Sequence, residues 1–484
     1  MGGQLSSKCF KPQDSKRVSS SGSPSFWWGA ATAAYQIEGG YQEGGRGMSI
    51  WDTFSHEKGR TDKGDTGDVA VDFYHRYQED INMMKGLGIK AFRMSIAWPR
   101  IQPNGTGVPN QAGLDFYNSV IDSLLAAGIQ PWITLYHWDL PQALHDKYGG
   151  WLSEDSVADF AEYANICFRA FGDRVKHWST FNEPWTFVEV GYHIGVHAPG
   201  YRHPTDYWRV GHHVLLAHAA AVQRFRHALP DGKIGIVANS DFFEPLTNSA
   251  ADKAAAQRCQ EFMCARFADP VYFGDYPQSI KDSIAALPVF TPEQKAALKG
   301  SVDFFLINHY STKYIAHKKD TSKETGMDLF DGSASVQHTE RNGKEIGPQA
   351  DSEWLRVVPW GLRKLLVWID QRYNHPDIYV LENGVDCPQE STIPLPDALD
   401  DTFRVHYYEQ YLAEAVKAVD EHGVKLKGYF AWSLLDNFEW ADGYAKRFGI
   451  VHVNYSTMQR QPKHSAKWLK AFFSEQQKQP LQAA

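Results

Sequence analysis

Two acidic residues stand where apolar stretches of the sequence end. Glu183 closes "VKHWSTFNE" (175–183), and Glu382 closes "IYVLE" (378–382). A carboxylate at the end of a buried strand is costly to desolvate unless something there uses it. Two opposed carboxyl groups can hydrolyse a glycoside, because one gives a proton while the other attacks or activates water. We therefore take Glu183 and Glu382 as candidate catalytic residues.

A helix start is the alternative interpretation of Glu183. Asn182 would be the N-cap, Glu183 would lie in the first turn, and Pro184 would stand near the first helical position. The residues around Glu183 leave both interpretations open.

Eight short apolar or β-branched runs alternate with helical patterns along the chain. The runs cover 26–34, 91–98, 131–138, 175–182, 233–239, 303–309, 378–382 and 427–434. Near-continuous apolar strands with helices between them predict a parallel sheet closed as a single (β/α)8 barrel, with the active site at the C-terminal ends of the strands. A doubly wound sheet is the alternative, but "GAATAAYQIEGG" after the first strand is not a Gly-rich phosphate loop. The segment 311–353 should lie over the barrel's top face.

The predicted strand ends carry amide, imidazole and aromatic groups besides the two acids. They are Gln36, Arg93, His137, Trp138, Asn182, Asn308, Tyr310, Asn383 and Trp432. This set suits a neutral polyol better than a phosphate or a metal ion. No His/Glu pair has zincin spacing, and no Ser stands in a G-x-S-x-G elbow. The formal charge of −8 argues against nucleic acid as a partner, and we expect neither a metal nor a cofactor.

Composition divides the chain into three segments. We expect a disordered, Ser-rich leader (1–24), one barrel domain (25–476) and a polar tail (477–484). No apolar run is long enough to cross a membrane, and the start lacks the apolar region of a secretory signal. Five irregularly spaced Cys suit a reducing compartment. These features predict a cytoplasmic protein.

The first ten residues, "MGGQLSSKCF", contain the pattern M-G-x-x-x-S, which is typical of N-myristoylation at Gly2. Cys9 and the neighbouring basic residues would supply the second signal that stable attachment to a membrane needs. We therefore hypothesise a tether to the cytosolic face of a membrane through acylation at Gly2 or Cys9. A chance match in a disordered start is the alternative.

Five motifs occur together in this chain: "FWWGAATAAYQIEGG", "LYHWDLP", "TFNEPW", "VLENGV" and "WSLLDNFEWADGY". With them the chain closely resembles family 1 glycoside hydrolases, the β-glucosidase family, from about Phe26 to Phe473. The resemblance implies that Glu183 is the acid/base and Glu382 the nucleophile. It also implies a set of substrate-binding side chains, namely Gln36, His137, Asn182, Glu439 and Trp440 for the sugar hydroxyls, Trp432 beneath the sugar, Trp354 as a platform for the leaving group, and Tyr310. Arg93 and Asn308, together with Tyr310, would hold the nucleophile ionised and oriented.

Elementary electrostatics agrees with these roles. Arg93 and the Tyr310 hydroxyl would favour an ionised Glu382 and so lower its pKa. Glu183 faces that negative charge, so its pKa should rise and keep it protonated as the acid. Once Glu382 is glycosylated, the pKa of Glu183 should fall, and Glu183 can then deprotonate water. A retaining enzyme requires the two carboxyl groups about 5–5.5 Å apart.

Four positions bear on specificity and pH. Leu381 stands where the family most often has Thr, and Asp386 stands where a small residue is usual. An acid at position 386, if close, would raise the pKa of the nucleophile. Glu439 would repel a phosphorylated sugar, so unphosphorylated substrates are predicted. Glu183 stands where thioglucosidase relatives have Gln, which favours O-glycosides.

We therefore predict a retaining β-glucosidase whose partners are small β-glucosides, namely cellobiose-like oligosaccharides and aryl or alkyl glucosides. Galactosides and fucosides should be poorer substrates. A transglycosidase shares the same acids and stays open as an alternative. A non-catalytic sugar-binding barrel predicts the loss of one acid, whereas both are present.

Overall fold

The computed structural model describes residues 26–318 and 335–478. The predicted leader with Gly2 and Cys9, most of the predicted tail and residues 319–334 of the long segment lie outside these ranges. Within the described part, eight parallel strands close into a barrel in sequence order. They are β1 (Trp27–Ala31), β2 (Ala91–Ser95), β3 (Gln130–Tyr136), β4 (His177–Asn182), β5 (Lys233–Asn239), β6 (Phe305–Asn308), β7 (Ile378–Asn383) and β8 (Leu426–Trp432). The predicted barrel is confirmed, and the open sheet is excluded.

Helices surround the barrel and connect its strands. The longer ones are Ile50–His56, Phe73–Gly86, Gln111–Ala126, Gln142–Tyr148, Asp155–Phe171, Asp206–Ala228, Ala250–Gln260, Arg266–Phe273, Pro292–Leu298, Pro359–Arg372, Thr402–His422 and His464–Lys478. Shorter helical segments are Ala34–Ile37, Asp62–Gly64, Trp98–Ile101, Gly150–Leu152, Pro184–Val188, Glu189–His193, Glu261–Ala265, Gln278–Ser283, Leu395–Leu399 and Trp440–Asp442. In the part of the chain described here, no helix is both long and apolar enough to span a membrane.

An aromatic layer fills the lower half of the barrel. The Trp132 ring stacks on His177 with centroids 4.1 Å apart, and it lies 4.9 Å from Tyr379 and 5.3 Å from Phe430. Bulky interior side chains make a barrel a packed core rather than a pore. The carboxyl ends of the strands are therefore left as the place for a site.

Strand register brings the polar strand-end residues to one level. Ala31 pairs with both Trp432 and Arg93, and Asn308 pairs with both Glu382 and Asn239. The two acid-bearing strands are irregular at this level: the register shifts between Ser179 and Asn182 in β4, and between Val380 and Glu382 in β7. Such irregularities change the direction in which side chains point, and they are common next to active sites.

The described parts of the long segment after β6 contribute two strands to a small sheet outside the barrel. Thr312–His317 pairs in parallel with Phe242–Pro245 and antiparallel with Ser335–His338. Two further hairpins complete the described strands, Glu340–Arg341 with Lys344–Glu345, and Val451–Asn454 with Gln459–Pro462. The end of the segment brings Trp354 against Tyr310, 5.7 Å between ring centroids, just beyond β6.

Candidate active site

Glu382 ends β7 among groups that favour its ionised form. Arg93 Nη1 donates a hydrogen bond to Oε1, and the Tyr310 hydroxyl donates to Oε2 at 2.8 Å. The side chain is buried. Burial is the largest influence and raises the pKa of Glu382, while Arg93, Tyr310 and Asn308 oppose the rise. The predicted net lowering is therefore wrong, because the loss of water outweighs the two partners; the partners themselves are the predicted ones.

Arg93 joins the nucleophile to the strands beside it. Besides Glu382, its guanidinium donates to Asn182 Oδ1 through Nη2 at 2.6 Å and to Thr134 Oγ1 through Nε at 3.2 Å. Only 1% of its surface is exposed. A buried guanidinium needs a carboxylate partner and satisfied donors, and here that carboxylate is Glu382.

Glu183 follows β4 and precedes the short helix Pro184–Val188. Its backbone is left-handed (φ 48°), a conformation that costs an L-residue about 1–3 kcal/mol and is concentrated at functional sites. No side-chain hydrogen bond caps this helix. Instead Oε1 accepts from Asn308 Nδ2 and Oε2 from the Thr186 hydroxyl, each at 2.7 Å. A helix therefore does start here with Pro184 at its beginning, as the alternative interpretation predicts. The predicted cap is wrong, because Asn182 ends β4 and Glu183 stands at the N-cap position without capping the helix.

The surroundings of Glu183 suit a proton donor. Burial, and then the negative charge of Glu382, raises the pKa of Glu183 to about 7. Hydrogen bonds from Asn308 and Thr186 and the more distant charge of Arg93 act in the opposite direction. The predicted rise is therefore present, although desolvation rather than the facing charge is its main cause. In the described part of the chain, Glu382 thus has a cation beside it, whereas the hydrogen bonds to Glu183 come from neutral donors.

The predicted sugar-binding side chains come together around the acids with unused polar atoms. Among the described residues, Gln36 Oε1, His137 Nδ1 and Asn308 Oδ1 are buried without a hydrogen-bond partner. Buried polar atoms normally have partners. Burial keeps the His137 ring neutral by lowering its pKa well below the usual value. The site therefore offers both a donor and acceptors to hydroxyl groups.

Asn182 and Glu439 complete this set. Asn182 Oδ1 accepts from Arg93 and Asn308, and Nδ2 lies 2.9 Å from His137 Nε2. Asn182 therefore has one Nδ2 hydrogen left for a sugar hydroxyl. Glu439 is half-buried, and Gln36 Nε2 lies 3.4 Å from its Oε2. Desolvation and neighbouring acids raise the pKa of Glu439 well above its usual value.

Three tryptophans border the site. Trp432 and Trp440 are buried and lie nearly parallel to the His137 ring, with centroids 6.1 and 5.9 Å from it. Trp354 is 45% exposed and stacks on Phe448 at 6.5 Å. The first two thus belong to the core and also face a predicted sugar-binding group, whereas Trp354 keeps a free surface. Their binding roles stay predictions.

Leu381 and Asp386, the two residues that depart from the family pattern, are both buried. Leu381 packs in the main core. The carboxylate of Asp386 accepts a 2.6 Å hydrogen bond from Ser352, and burial raises its pKa to about 6. Asp386 is among the acids that raise the pKa of Glu439, while Arg93 acts most strongly on Glu382 after burial. The effect predicted on the nucleophile thus has no support here.

Sequence reasoning missed several residues that hold the site. Thr186 donates to Glu183, Asn239 donates to Thr186 at 2.9 Å, and Asn437 accepts from Gln36 at 2.9 Å. Asn239 is the last residue of β5, so the rule that barrel strand ends face the site could have found it. Nothing in the sequence singles out Thr186. Within 26–318 and 335–478, no group of three or more His, Cys, Asp or Glu is arranged to hold a metal ion.

A closed (β/α)8 barrel with two buried carboxyls at its C-terminal mouth, one of them bound to an arginine, defines the class of barrel glycoside hydrolases. The comparison with known families agrees: the model of "Glycosyl hydrolase family 1" matches residues 21–478. The chain belongs to this family.

Individual relatives are similar over nearly their whole length. Beta-glucosidase 6 of Oryza sativa subsp. japonica is 47% identical over 464 residues, which cover 92% of this chain and 89% of the relative. Raucaffricine-O-beta-D-glucosidase of Rauvolfia serpentina is 46% identical, with 96% and 93% covered. The crystal structure of beta-glucosidase 2 from the fungus Trichoderma reesei has a TM-score of 0.90 at 48% identity, with 93% and 98% covered.

Proposed function

We propose that this chain hydrolyses unphosphorylated β-glucosides by a two-step, retaining mechanism. The observation that carries the proposal is the contrast between the two carboxyl groups. Among the described residues, Glu382 binds a guanidinium and a phenol, whereas Glu183 binds an amide and a hydroxyl and has a pKa of about 7. Environments that separate two acids in this way assign one as the proton donor and the other as the nucleophile.

In the first step a carboxylate oxygen of Glu382 attacks the anomeric carbon, and Glu183 gives its proton to the departing oxygen. The bond between the sugar and the aglycone breaks, and a glucosyl ester of Glu382 forms. In the second step Glu183 removes a proton from water, the water oxygen attacks the anomeric carbon, and Glu382 leaves as a carboxylate. Two inversions give net retention.

Glu439 supports the choice of an unphosphorylated sugar. Its carboxyl group lies beside Gln36, and its pKa is raised by burial and then by the nearby acids Asp442 and Asp386. An acidic neighbourhood of this kind is unfavourable for a phosphate dianion. Cellobiose-like oligosaccharides and aryl or alkyl glucosides are therefore the proposed substrates, with galactosides and fucosides poorer.

Proton NMR of the first product tests the proposal. The chain is mixed with 4-nitrophenyl β-glucoside, and the anomeric signal is recorded before mutarotation. β-Glucose as the first product is expected. α-Glucose would mean an inverting mechanism, and an unchanged substrate with a folded protein would refute hydrolysis of β-glucosides. Added alcohol separates a transglycosidase, because alkyl glucoside would then exceed glucose.

A further inference from the structure

The amide of Asn239, the hydroxyl of Thr186 and the acid/base Glu183 form a chain of two hydrogen bonds, called the relay below. Asn239 Nδ2 donates to Thr186 Oγ1 at 2.9 Å, and Thr186 Oγ1 donates to Glu183 Oε2 at 2.7 Å. A hydroxyl has one hydrogen, so while it donates to Glu183 it must accept from Asn239. The direction of both bonds is therefore fixed when Glu183 is ionised.

The two oxygens of Glu183 have partners of different kinds. Oε1 accepts from Asn308 Nδ2 at 2.7 Å, and an amide N–H can only donate. Oε2 accepts from Thr186, whose hydroxyl can either donate or accept. The bond between Thr186 and Oε2 is thus the one that can adjust when Glu183 gains or loses its proton, whereas Asn308 donates to Oε1 in both states.

We propose that Thr186, held by Asn239, is a positioning residue that keeps Glu183 oriented in both half-reactions and supports its ionised form in the second. This inference rests on the proposed function. Thr186 can donate to Oε2 both before and after the proton goes to the leaving group, because each carboxyl oxygen has two lone pairs and the bond from Thr186 occupies only one of them. Glu183 then changes from acid to base without moving.

The other charged and titratable groups that face Glu183 come from neighbouring strand ends. They are Glu382, which raises the pKa of Glu183, and Arg93, which lowers it. Tyr310 and Glu439 also lie close by, since burial, and with it the charge of Glu183, raises the pKa of each. None of these groups is hydrogen-bonded to Thr186 in the described part of the chain. A change at position 186 therefore alters one hydrogen bond to Glu183 and leaves the charges around it in place.

Thr186→Val tests the proposal, because valine keeps the shape and removes the hydroxyl. The alkaline limb of kcat/KM for 4-nitrophenyl β-glucoside should move up by about one pH unit, since a hydrogen bond to the ionised form is lost. With 2,4-dinitrophenyl β-glucoside, whose leaving group needs no acid, kcat should fall about tenfold because the second step lacks a well-placed base. Azide carries no proton to remove, so it should restore turnover and give β-glucosyl azide.

Three comparisons make the test specific. Thr186→Ser keeps the hydroxyl, so it should retain most of the wild-type activity and the wild-type alkaline limb. Asn239→Leu keeps the Thr186 hydroxyl but removes the amide that donates to it. The alkaline limb of kcat/KM should therefore also move up, by less than in Thr186→Val. The double variant should add little to Thr186→Val, because coupled residues are not additive.

The outcomes separate this inference from the proposed function. An inactive wild-type chain would refute the function itself. An active wild type with an unshifted pH limb and no azide effect in folded Thr186→Val would refute the relay alone. Loss of activity in Thr186→Ser as well as Thr186→Val, with no azide rescue in either variant, would mean a merely structural role.

Discussion

Trapping Glu382 as a covalent glucosyl ester should lower the pKa of Glu183 by an amount that can be worked out. The ester removes the negative charge that is the second cause of the raised pKa of about 7. Two unit charges about 5.5 Å apart interact by about 3 kcal/mol at an effective dielectric constant of about 20. That energy corresponds to about two pKa units. Glu183 should therefore titrate near about pH 5 in the trapped enzyme.

Carbon NMR of protein labelled at the glutamate carboxyl carbons measures this change directly. The Glu183 signal is assigned with Glu183→Gln, and the chain is titrated before and after reaction with an activated 2-deoxy-2-fluoro-β-glucoside. Glu382→Gln is the matched control, because it removes the same charge without a sugar. A Glu183 that titrates at the same pH in all three forms would refute the reasoning, since burial alone would then set its pKa.

Three further predictions concern other parts of the molecule. Arg93→Met should lower kcat for an activated aryl glucoside by about hundredfold or more, because Glu382 and Asn182 lose a charged donor; a loss below threefold would contradict its role. Glu439→Ser should raise the kcat/KM ratio of a 6-phospho-β-glucoside to the plain β-glucoside, and an unchanged ratio would remove Glu439 from phosphate discrimination. Acylation at Gly2 stays a prediction: Gly2→Ala should move the protein from the membrane to the soluble fraction of lysed cells, whereas an identical distribution of both forms would argue against a tether.

The barrel and its two acids could be predicted from the sequence because local patterns specify them. Parallel strands buried on both faces read as apolar runs, and all eight barrel strands fall within or overlap the predicted runs. Glu183 and Glu382 were conspicuous because they end such runs.

Other features depend on tertiary placement that no local pattern reports. Thr186 looks like any helical threonine, and its hydroxyl reaches Glu183 because the short helix begins directly after that acid. The direction of the Glu382 pKa shift depends on how deeply the barrel buries it, which outweighs Arg93 and Tyr310. The register shifts in β4 and β7 likewise involve pairing with strands that are distant in the sequence.

The most direct test of the central claim is mass spectrometry after incubation with an activated 2-deoxy-2-fluoro-β-glucoside. The fluorine slows both steps, and the good leaving group lets the first proceed, so the glucosyl-enzyme accumulates. The expected result is a fluoroglucosyl adduct on the peptide that carries Glu382, and no adduct in Glu382→Gln. An adduct on another residue, or no adduct while the ordinary glucoside is hydrolysed, would contradict it.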